Sequence, residues 1–471
     1  MHSWRSFRSC LRCRGVLAPR HCAIATLRAV SCSSRSGPRS TRTRLRAVTC
    51  RRTPLPVSWA PSAHRRKGPT KNISPEVAPV ARGAGMTPPS GRLHHLDAAR
   101  ALLLLLGLPF HVATKAIFES DPPALDFQQS LVIGGWASLT HVFRMFAFFM
   151  LAGYFAGMIR ERKGAGAWLA ERSRRLGLPF LASILTLGAI QYQLQDGLLH
   201  KPSPRFLGAP LALDHLWFLV VLLGFCAVYA AIPGSRIPQG GRTGRALCLS
   251  APGSLALLAA LALWGLVRYA AEQVPAIPDA PSETLLWQQF LFHSAPFALG
   301  VVAWHARIGE RIFNLRSRWI VPAILLLLIP YFPLDPLVRP ALGKEIYPDL
   351  AGTLVLRAID LPLAYLMSLG LFRLLAELVR GPSRVVSFFV DGALAIYLFH
   401  LVWAMLVLPW VRALPIAAEA QWMLASLLVL GLSMASYLAA RSTRLTSVLF
   451  CGAAPKRHQP KHTTPARPAR P

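Results

Sequence analysis

The chain has 471 residues, of which 53% are hydrophobic and only 15% are charged. A soluble domain usually carries charge on about a quarter of its residues, so this composition predicts a membrane protein. The net charge of +32 raises nucleic-acid binding as an alternative. However, residues 1–85 alone supply +17, from 16 Arg and 2 Lys against the single acid Glu76, and no nucleic-acid-binding motif accompanies them. We therefore expect no nucleic-acid partner.

Residues 1–85 are rich in Arg, Ser and Pro and contain no sustained apolar run. The segment fits a disordered basic tail, an organellar transit peptide, or an extension upstream of a true start at Met86. The membrane domain begins abruptly ten residues after Met86, which favours the third interpretation. We predict a transmembrane domain over residues 86–445 and a basic, disordered tail over 446–471. The cysteines show no disulfide framework, and the single CxxC at Cys10–Cys13 has no second pair or histidine partner, so we expect no metal.

Between the two tails, apolar runs near 20 residues recur, and each is long enough to cross a hydrocarbon core of about 30 Å. The fold class predicted is an all-α, polytopic transmembrane helical bundle of about ten spans. The predicted limits are 96–117, 131–158, 175–194, 213–232, 252–271, 285–304, 319–333, 352–372, 385–409 and 421–440.

The charges between the spans alternate in sign along the chain. Basic residues follow spans two, four, six and eight, and the first of these predicted loops carries Arg160, Arg162, Lys163, Arg172, Arg174 and Arg175. Acidic residues follow spans one and five, among them Asp121, Asp126, Glu272 and Asp279. Cytoplasmic loops are enriched in Lys and Arg, so the alternation predicts an even number of spans with both termini cytoplasmic.

Several ionisable side chains lie inside the predicted spans, where each costs on the order of 2.5–3.5 kcal/mol. At about 1.5 Å per residue, they lie at similar depths, roughly 21–24 Å from the cytoplasmic end of their spans. This set comprises His111, Arg144, His293, Arg357 and His400, with Asp360 beside Arg357 and His141 one turn farther out. Asp214, His215 and Trp217 occupy the outer end of span four. The shared depth predicts one polar chamber open to the outside; alternatively, each group is satisfied separately by a neighbouring helix.

The residue types limit the chemistry of such a chamber. The sequence has no close carboxylate pair for glycoside hydrolysis, no GxSxG elbow and no HExxH motif. Histidine with a supporting arginine suits proton transfer from a hydroxyl and stabilisation of an oxyanion, which O-acyl transfer requires. Arg172, Arg174 and Arg175 could receive a phosphorylated acyl donor at the inner mouth, or could serve only to set topology.

Five blocks in order resemble the acyltransferase 3 superfamily, and within it the glucan-biosynthesis C group that succinylates periplasmic glucans. They are Leu96-Asp-Ala-Ala-Arg-Ala running to Pro109-Phe-His111, His141-Val-Phe-Arg144-Met with Phe148-Phe-Met-Leu-Ala-Gly-Tyr-Phe155, Arg175-Leu-Gly-Leu-Pro-Phe180, His215-Leu-Trp-Phe-Leu219 and Ala395-Ile-Tyr-Leu-Phe-His400. The blocks cover roughly residues 92–445. Val220, Val221 and Leu222 stand where many wider relatives have a Glu, which fits the glucan group better.

The resemblance implies a multi-pass enzyme of the bacterial inner membrane that transfers an acyl group, succinyl or acetyl, to a glycan hydroxyl outside. It implies acyl-CoA as co-substrate, with no tightly bound cofactor, and His111 as the catalytic residue. We predict catalytic roles for His111, Arg144 and His400. Substrate-binding roles are predicted for Asp97, Arg100, His141, Arg172, Arg175, His215, Trp217 and Arg357. A transporter of a small polar or anionic solute is the alternative, although no inverted repeat is detectable.

Overall fold

The computed structural model describes residues 94–119, 124–197, 205–234, 250–274, 281–313, 318–379, 381 and 383–452. The predictions for residues 1–85 and for the tail beyond residue 452 concern residues outside these ranges. Within them, regular structure is entirely helical apart from one isolated bridge between Phe206 and Ala209. The predicted all-α fold class is therefore confirmed.

The described part of the chain contains nine helices that are long and apolar enough to cross a membrane, and one shorter apolar helix. We number the ten in chain order: α1 His94–Phe118, α2 Leu131–Lys163, α3 Ala165–Gln195, α4 Asp214–Ala231, α5 Ala251–Glu272, α6 Pro281–His305, α7 Ile320–Leu334, α8 Leu350–Leu378, α9 Arg384–Arg412 and α10 Ala418–Ala440. A last short helix, α11, covers Arg444–Cys451. Each predicted span coincides with one of the ten, but α7 would cover only about 22 Å if straight, less than a core of about 30 Å.

The predicted loop after span two is wrong. Helix α2 runs to Lys163 and α3 begins at Ala165, so the turn between them is Gly164 alone, with φ +80°. Arg172, Arg174 and Arg175 therefore lie on a helix. Hydropathy failed here because Ala, Leu, Glu and Arg are strong helix formers without being uniformly apolar. Trp168 holds the first turns of α3 against the bundle, because its buried ring packs against the ring of Tyr229 with 5.7 Å between centroids.

Three turns of these helices are π-helical rather than α-helical. One ends α1, at Lys115–Glu119. The other two lie in α3, at Ser173–Gly177 and Ile184–Gly188. A π turn bonds each residue to the fifth along the chain, so it accommodates an extra residue and rotates the following side chains.

Glycines allow α2 and α6 to approach at backbone distance. Gly153 and Gly157 lie one turn apart on α2 and face α6, where Gly300 faces back. A Cβ on Gly300 would overlap the carbonyl oxygen of Met150, and one on Gly157 would lie 2.8 Å from the Trp304 ring. Small residues at four-residue spacing are a common means of close helix packing in membranes. The same device brings α5 against α8, where Gly265 meets the backbone of Arg357.

Burial identifies the centre of the bundle. Within the most apolar stretch of each helix, 72% of residues are buried in α2, 67% in α9 and 61% in α1, against 17% in α5. Helices α1, α2 and α9 are therefore central, and α5 presents most of its surface outward. Below, the inner end of the bundle means the end at which α1 begins, and the outer end is the opposite one.

Candidate active site

Three histidines from three helices meet at the centre of the bundle. His111 of α1 lies 5.1 Å from His400 of α9 between ring centroids, and 6.4 Å from His215 of α4. His215 and His400 are 4.9 Å apart. We call these three residues the histidine cluster. Tyr397, one turn before His400, packs against both His215 and His400, at 5.2 and 4.9 Å.

Backbone carbonyls fix the tautomers of two cluster members. The Nδ1 of His400 is hydrogen-bonded to the carbonyl of Tyr397, and the Nε2 of His215 lies 3.2 Å from the carbonyl of Leu398. A carbonyl oxygen only accepts, so these nitrogens carry the hydrogens and the opposite nitrogens keep their lone pairs. Those opposite nitrogens, His400 Nε2 and His215 Nδ1, are buried and have no partner among the described residues.

His111 differs from the other two members of the cluster. Its Nε2 is also buried and has no hydrogen-bond partner in the described part of the chain, yet the residue as a whole is only half-buried. The side chain therefore combines an available nitrogen with partial access from outside the protein. Such a group can accept or donate a proton when a substrate hydroxyl approaches.

Arg144 of α2 reaches the same region. Its guanidinium lies over the ring of Phe110, 4.5 Å from the centroid, and its Nη1 would be 3.2 Å from a Cβ on Gly107. Gly107 is one turn inward of His111, so the arginine contacts the face of α1 that carries the histidine. Arg144 is 4% exposed, and its Nη1 has no hydrogen-bond partner among the described residues.

The histidine cluster is bordered on its outer side by an ion pair that sequence reasoning missed. Lys115 lies one turn beyond His111 on α1, and its ammonium is 3.8 Å from the carboxylate of Asp214. Gln195 of α3 donates a hydrogen bond to the same carboxylate. The sequence does contain a signal for Lys115: it lies four residues after His111, and residues four apart share a helix face. A buried lysine thus belongs to the surroundings of the cluster.

A cavity of about 260 Å³ opens near the inner end of the bundle. Asp97, Arg100 and Arg172 contribute its polar wall, and Cys226 lies on its apolar side. Leu104, also on the wall, is two turns inward of His111 on the same helix. Phe148 and Phe218 line the cavity too, and Phe218 packs against Tyr397 at 4.8 Å. This inner cavity therefore ends about 10 Å short of His111, measured along α1.

Four of the predicted substrate-binding residues do not line the inner cavity or join the cluster. His141 stacks on Phe110, with centroids 5.1 Å apart. Arg175 is half exposed and pairs with Glu171 at 3.0 Å. Trp217 stacks on His293 of α6, with centroids 5.3 Å apart. Arg357 pairs with Glu272 at 2.9 Å.

The expectation of one continuous polar chamber needs correction. The ionisable residues at similar depth do not share one space: His111 and His400 belong to the histidine cluster, whereas Arg357 joins charged residues of α5. His293 stacks on Trp217 and Phe149. Phe110 separates His111 from His141, because its ring lies 5.2 Å from His111 and stacks on His141 at 5.1 Å. Counting residues along a helix gives depth but not direction, so residues at one depth can still face different spaces.

The profile of the acyltransferase 3 family, described as an acyltransferase domain, matches residues 93–440. The chain belongs to this family. Among its relatives is glucans biosynthesis protein C of Salmonella gallinarum, 27% identical, with the match covering 66% of this chain and 82% of the relative. The proteins of that name from Shigella boydii and Escherichia coli O157:H7 are each 26% identical over the same shares. No solved structure matches the chain.

Family membership decides between the functions considered from the sequence. The chain is a multi-pass membrane acyltransferase that transfers groups other than aminoacyl groups. The transporter alternative is not favoured. In the described part of this chain, the histidine cluster with Arg144 has the groups that acyl transfer requires.

Proposed function

We propose that this enzyme transfers an acyl group, succinyl or acetyl, from acyl-CoA to a hydroxyl of an extracytoplasmic glycan such as a periplasmic glucan. The inner end of the bundle faces the cytoplasm of a bacterial cell and the outer end faces away from it. Helix α7 completes ten spans, so that both termini are cytoplasmic. The names of the relatives and the alternation of charges along the chain support these assignments.

One observation carries the proposal: α1 takes part in both the inner cavity and the histidine cluster. Arg100 and Arg172 place two guanidinium groups at the inner mouth, where CoA phosphates would approach from the cytoplasm. Arginine forms paired, charge-assisted hydrogen bonds with phosphate. The slender arm of CoA would then extend along the apolar wall toward Phe148 and Phe218. Displacement of these two rings would open the remaining distance of about 10 Å between the cavity and His111.

The proposed transfer at the cluster has two steps, attack on the thioester and release of CoA. The acceptor oxygen attacks the thioester carbonyl carbon while Nε2 of His111 takes the hydroxyl proton. The Arg144 guanidinium stabilises the negative charge that develops on the carbonyl oxygen. The carbon–sulfur bond then breaks, and the proton passes to the CoA thiolate, which leaves an ester and free CoA. General-base assistance is typically worth about 10²–10⁴-fold in rate, and an oxyanion donor about 10²–10³-fold.

Substitution of His111 tests this proposal. His111→Ala should reduce transfer of radiolabelled acyl groups to a glucan acceptor by at least about 100-fold, because the base is lost. Protein amounts are matched by quantifying the membrane fraction. His305→Ala serves as the control, since His305 lies at the inner end of α6, hydrogen-bonded to Tyr229, and contacts no cluster member. Transfer by His111→Ala within about threefold of wild type would contradict the assigned mechanism.

A further inference from the structure

A second polar site lies near the outer end of the bundle, between α5 and α8. Arg268 donates to Glu272 at 2.9 Å and to Asp360 at 2.8 Å. Arg357 donates to the other oxygen of Glu272, also at 2.9 Å. The Arg268 guanidinium carbon lies over the ring of Phe292, 3.3 Å from its centroid. We call Arg268, Glu272, Arg357 and Asp360 the outer ion network.

The outer ion network is not fully enclosed by the protein. Glu272, Arg357 and Asp360 keep 13–15% of their side-chain surface exposed, whereas Arg268 keeps 5%. His141 of α2 is exposed although Ala137, Ser138 and Arg144 on the same helix face are buried. Exposure on an otherwise buried helix face indicates an opening beside His141. Helix α2, which carries His141, packs against α8, which carries Arg357 and Asp360, so His141 and the outer ion network lie on neighbouring helices.

The chemistry of this opening favours a neutral ligand rich in hydroxyl groups. The network holds two guanidinium groups and two carboxylates, so its formal charge is zero and it offers no net attraction to an ion. It retains hydrogen-bonding capacity, because the Nε of Arg357 is buried with no partner in the described part of the chain. The same holds for the Nε1 of Trp264, one turn before Arg268 on α5. Fixed donors beside carboxylate acceptors complement neighbouring hydroxyls on a sugar ring.

We propose that the outer ion network and His141 form the binding site for the carbohydrate acceptor. The inference rests on the proposed function and specifies where its acceptor binds. His141 stacks on Phe110, whose edge meets the ring of His111. A sugar held between His141 and Arg357 therefore lies beside the aromatic wall that leads to the catalytic histidine, while the donor approaches from the opposite end of α1.

A purely structural role explains less of the geometry. The backbones of α5 and α8 already touch at Gly265 and Arg357, so these helices pack closely without the charges. Buried ion pairs are also a poor means of joining helices, because apolar residues of similar volume often stabilise as well or better. A network that served only to join the two helices would not require an adjoining opening or an exposed histidine across from it.

The test compares acceptor and donor kinetics in full-length protein purified in detergent. The donor is radiolabelled acetyl-CoA or succinyl-CoA, and the acceptors are neutral glucose oligosaccharides of increasing length. Glu272→Gln removes the carboxylate shared by both arginines, and His141→Ala alters the opposite wall without removing any hydrogen bond described for the protein. Glu161→Gln is the control, because Glu161 pairs with Arg307 at the inner end, away from the opening.

We expect Glu272→Gln and His141→Ala each to raise the acceptor KM at least about tenfold, with the donor KM within about threefold of wild type. The control should change neither constant. An unchanged acceptor KM in His141→Ala would overturn the proposal even if Glu272→Gln failed to fold, as would equal rises in both constants. If the wild type transferred no label to any glucan, the proposed function itself would fail, which is a separate outcome.

Discussion

The glycine contact between α2 and α6 makes a quantitative prediction about stability. In Gly300→Ala the added methyl group would overlap the carbonyl oxygen of Met150 and lie 2.7 Å from the amide nitrogen of Tyr154. The methyl position is 1.9 Å from the Met150 oxygen, and ordinary contacts of carbon begin near 3.5 Å, so the two helices must separate locally by about 1.6 Å. Both obstructing atoms belong to the backbone, so no side-chain rotation can relieve the overlap.

The expected cost follows from two opposing effects. Overpacking of a well-filled interior typically costs about 1–3 kcal/mol, and the rigid obstacle favours the upper end of this range. Replacement of a mid-helix glycine by alanine returns about 1 kcal/mol of helix propensity. We therefore expect Gly300→Ala to lower the free energy of unfolding by about 2 kcal/mol. Gly431→Ala in α10 is the matched control, since a Cβ there meets nothing within 4 Å.

Thermal denaturation of the detergent-purified protein measures the effect, with residual acyl transfer after heating as a second readout. Gly300→Ala should lower Tm, whereas Gly431→Ala should leave it unchanged or raise it. The contrast between the two variants isolates packing from helix propensity, because the chemical change is identical. Equal melting temperatures for the two variants would refute the close α2–α6 contact.

Four further predictions concern charge, access, topology and pH. Arg144→Lys should lose acyl transfer, measured with labelled donor, because an ammonium lacks the planar fork of a guanidinium. Acyl-CoA should slow alkylation of Cys226, which lines the inner cavity, but not of Cys451, as read by peptide mass spectrometry. Reporter fusions at Gly164 and at Ala280, the latter outside the described residues, should report opposite sides of the membrane. Burial raises the pKa of Asp335 from 3.8 to about 6, so the protonated carboxyl is favoured in the folded protein. Its contribution to the free energy of unfolding is therefore complete below about pH 4 and is lost as the pH rises through about 6. The Tm of the wild type should fall over this range because of that loss, and the Tm of Asp335→Asn should not show it.

Hydropathy and charge predicted the order and approximate limits of the helices, because each is set by a local run of residues. The convergence of His111, His215 and His400 was only partly predictable. Their similar depths followed from counting residues, but the direction of each side chain depends on how α1, α4 and α9 rotate against one another. Such rotation is fixed by packing and leaves no signature within a single sequence.

The outer ion network was not predicted from the sequence, for a different reason. The charge pattern places Glu272 in an acidic loop and indicates no role for Arg268 inside the fifth span. The two residues are four apart, a spacing that places them on one helix face and would have indicated an ion pair. Their partners on α8, Arg357 and Asp360, are about 90 residues away along the chain, and only the tertiary fold brings them together.

The π turns have a consequence for how relatives of this chain can differ in length. Loss of one residue from an ordinary α turn rotates everything beyond it by about 100° and moves side chains to the wrong face. Loss of one residue from Ser173–Gly177 or Ile184–Gly188 instead converts a π turn to an α turn and leaves both flanking faces in place. Alignment gaps inside the helices of related proteins should therefore fall at these turns, and at Lys115–Glu119, more often than elsewhere.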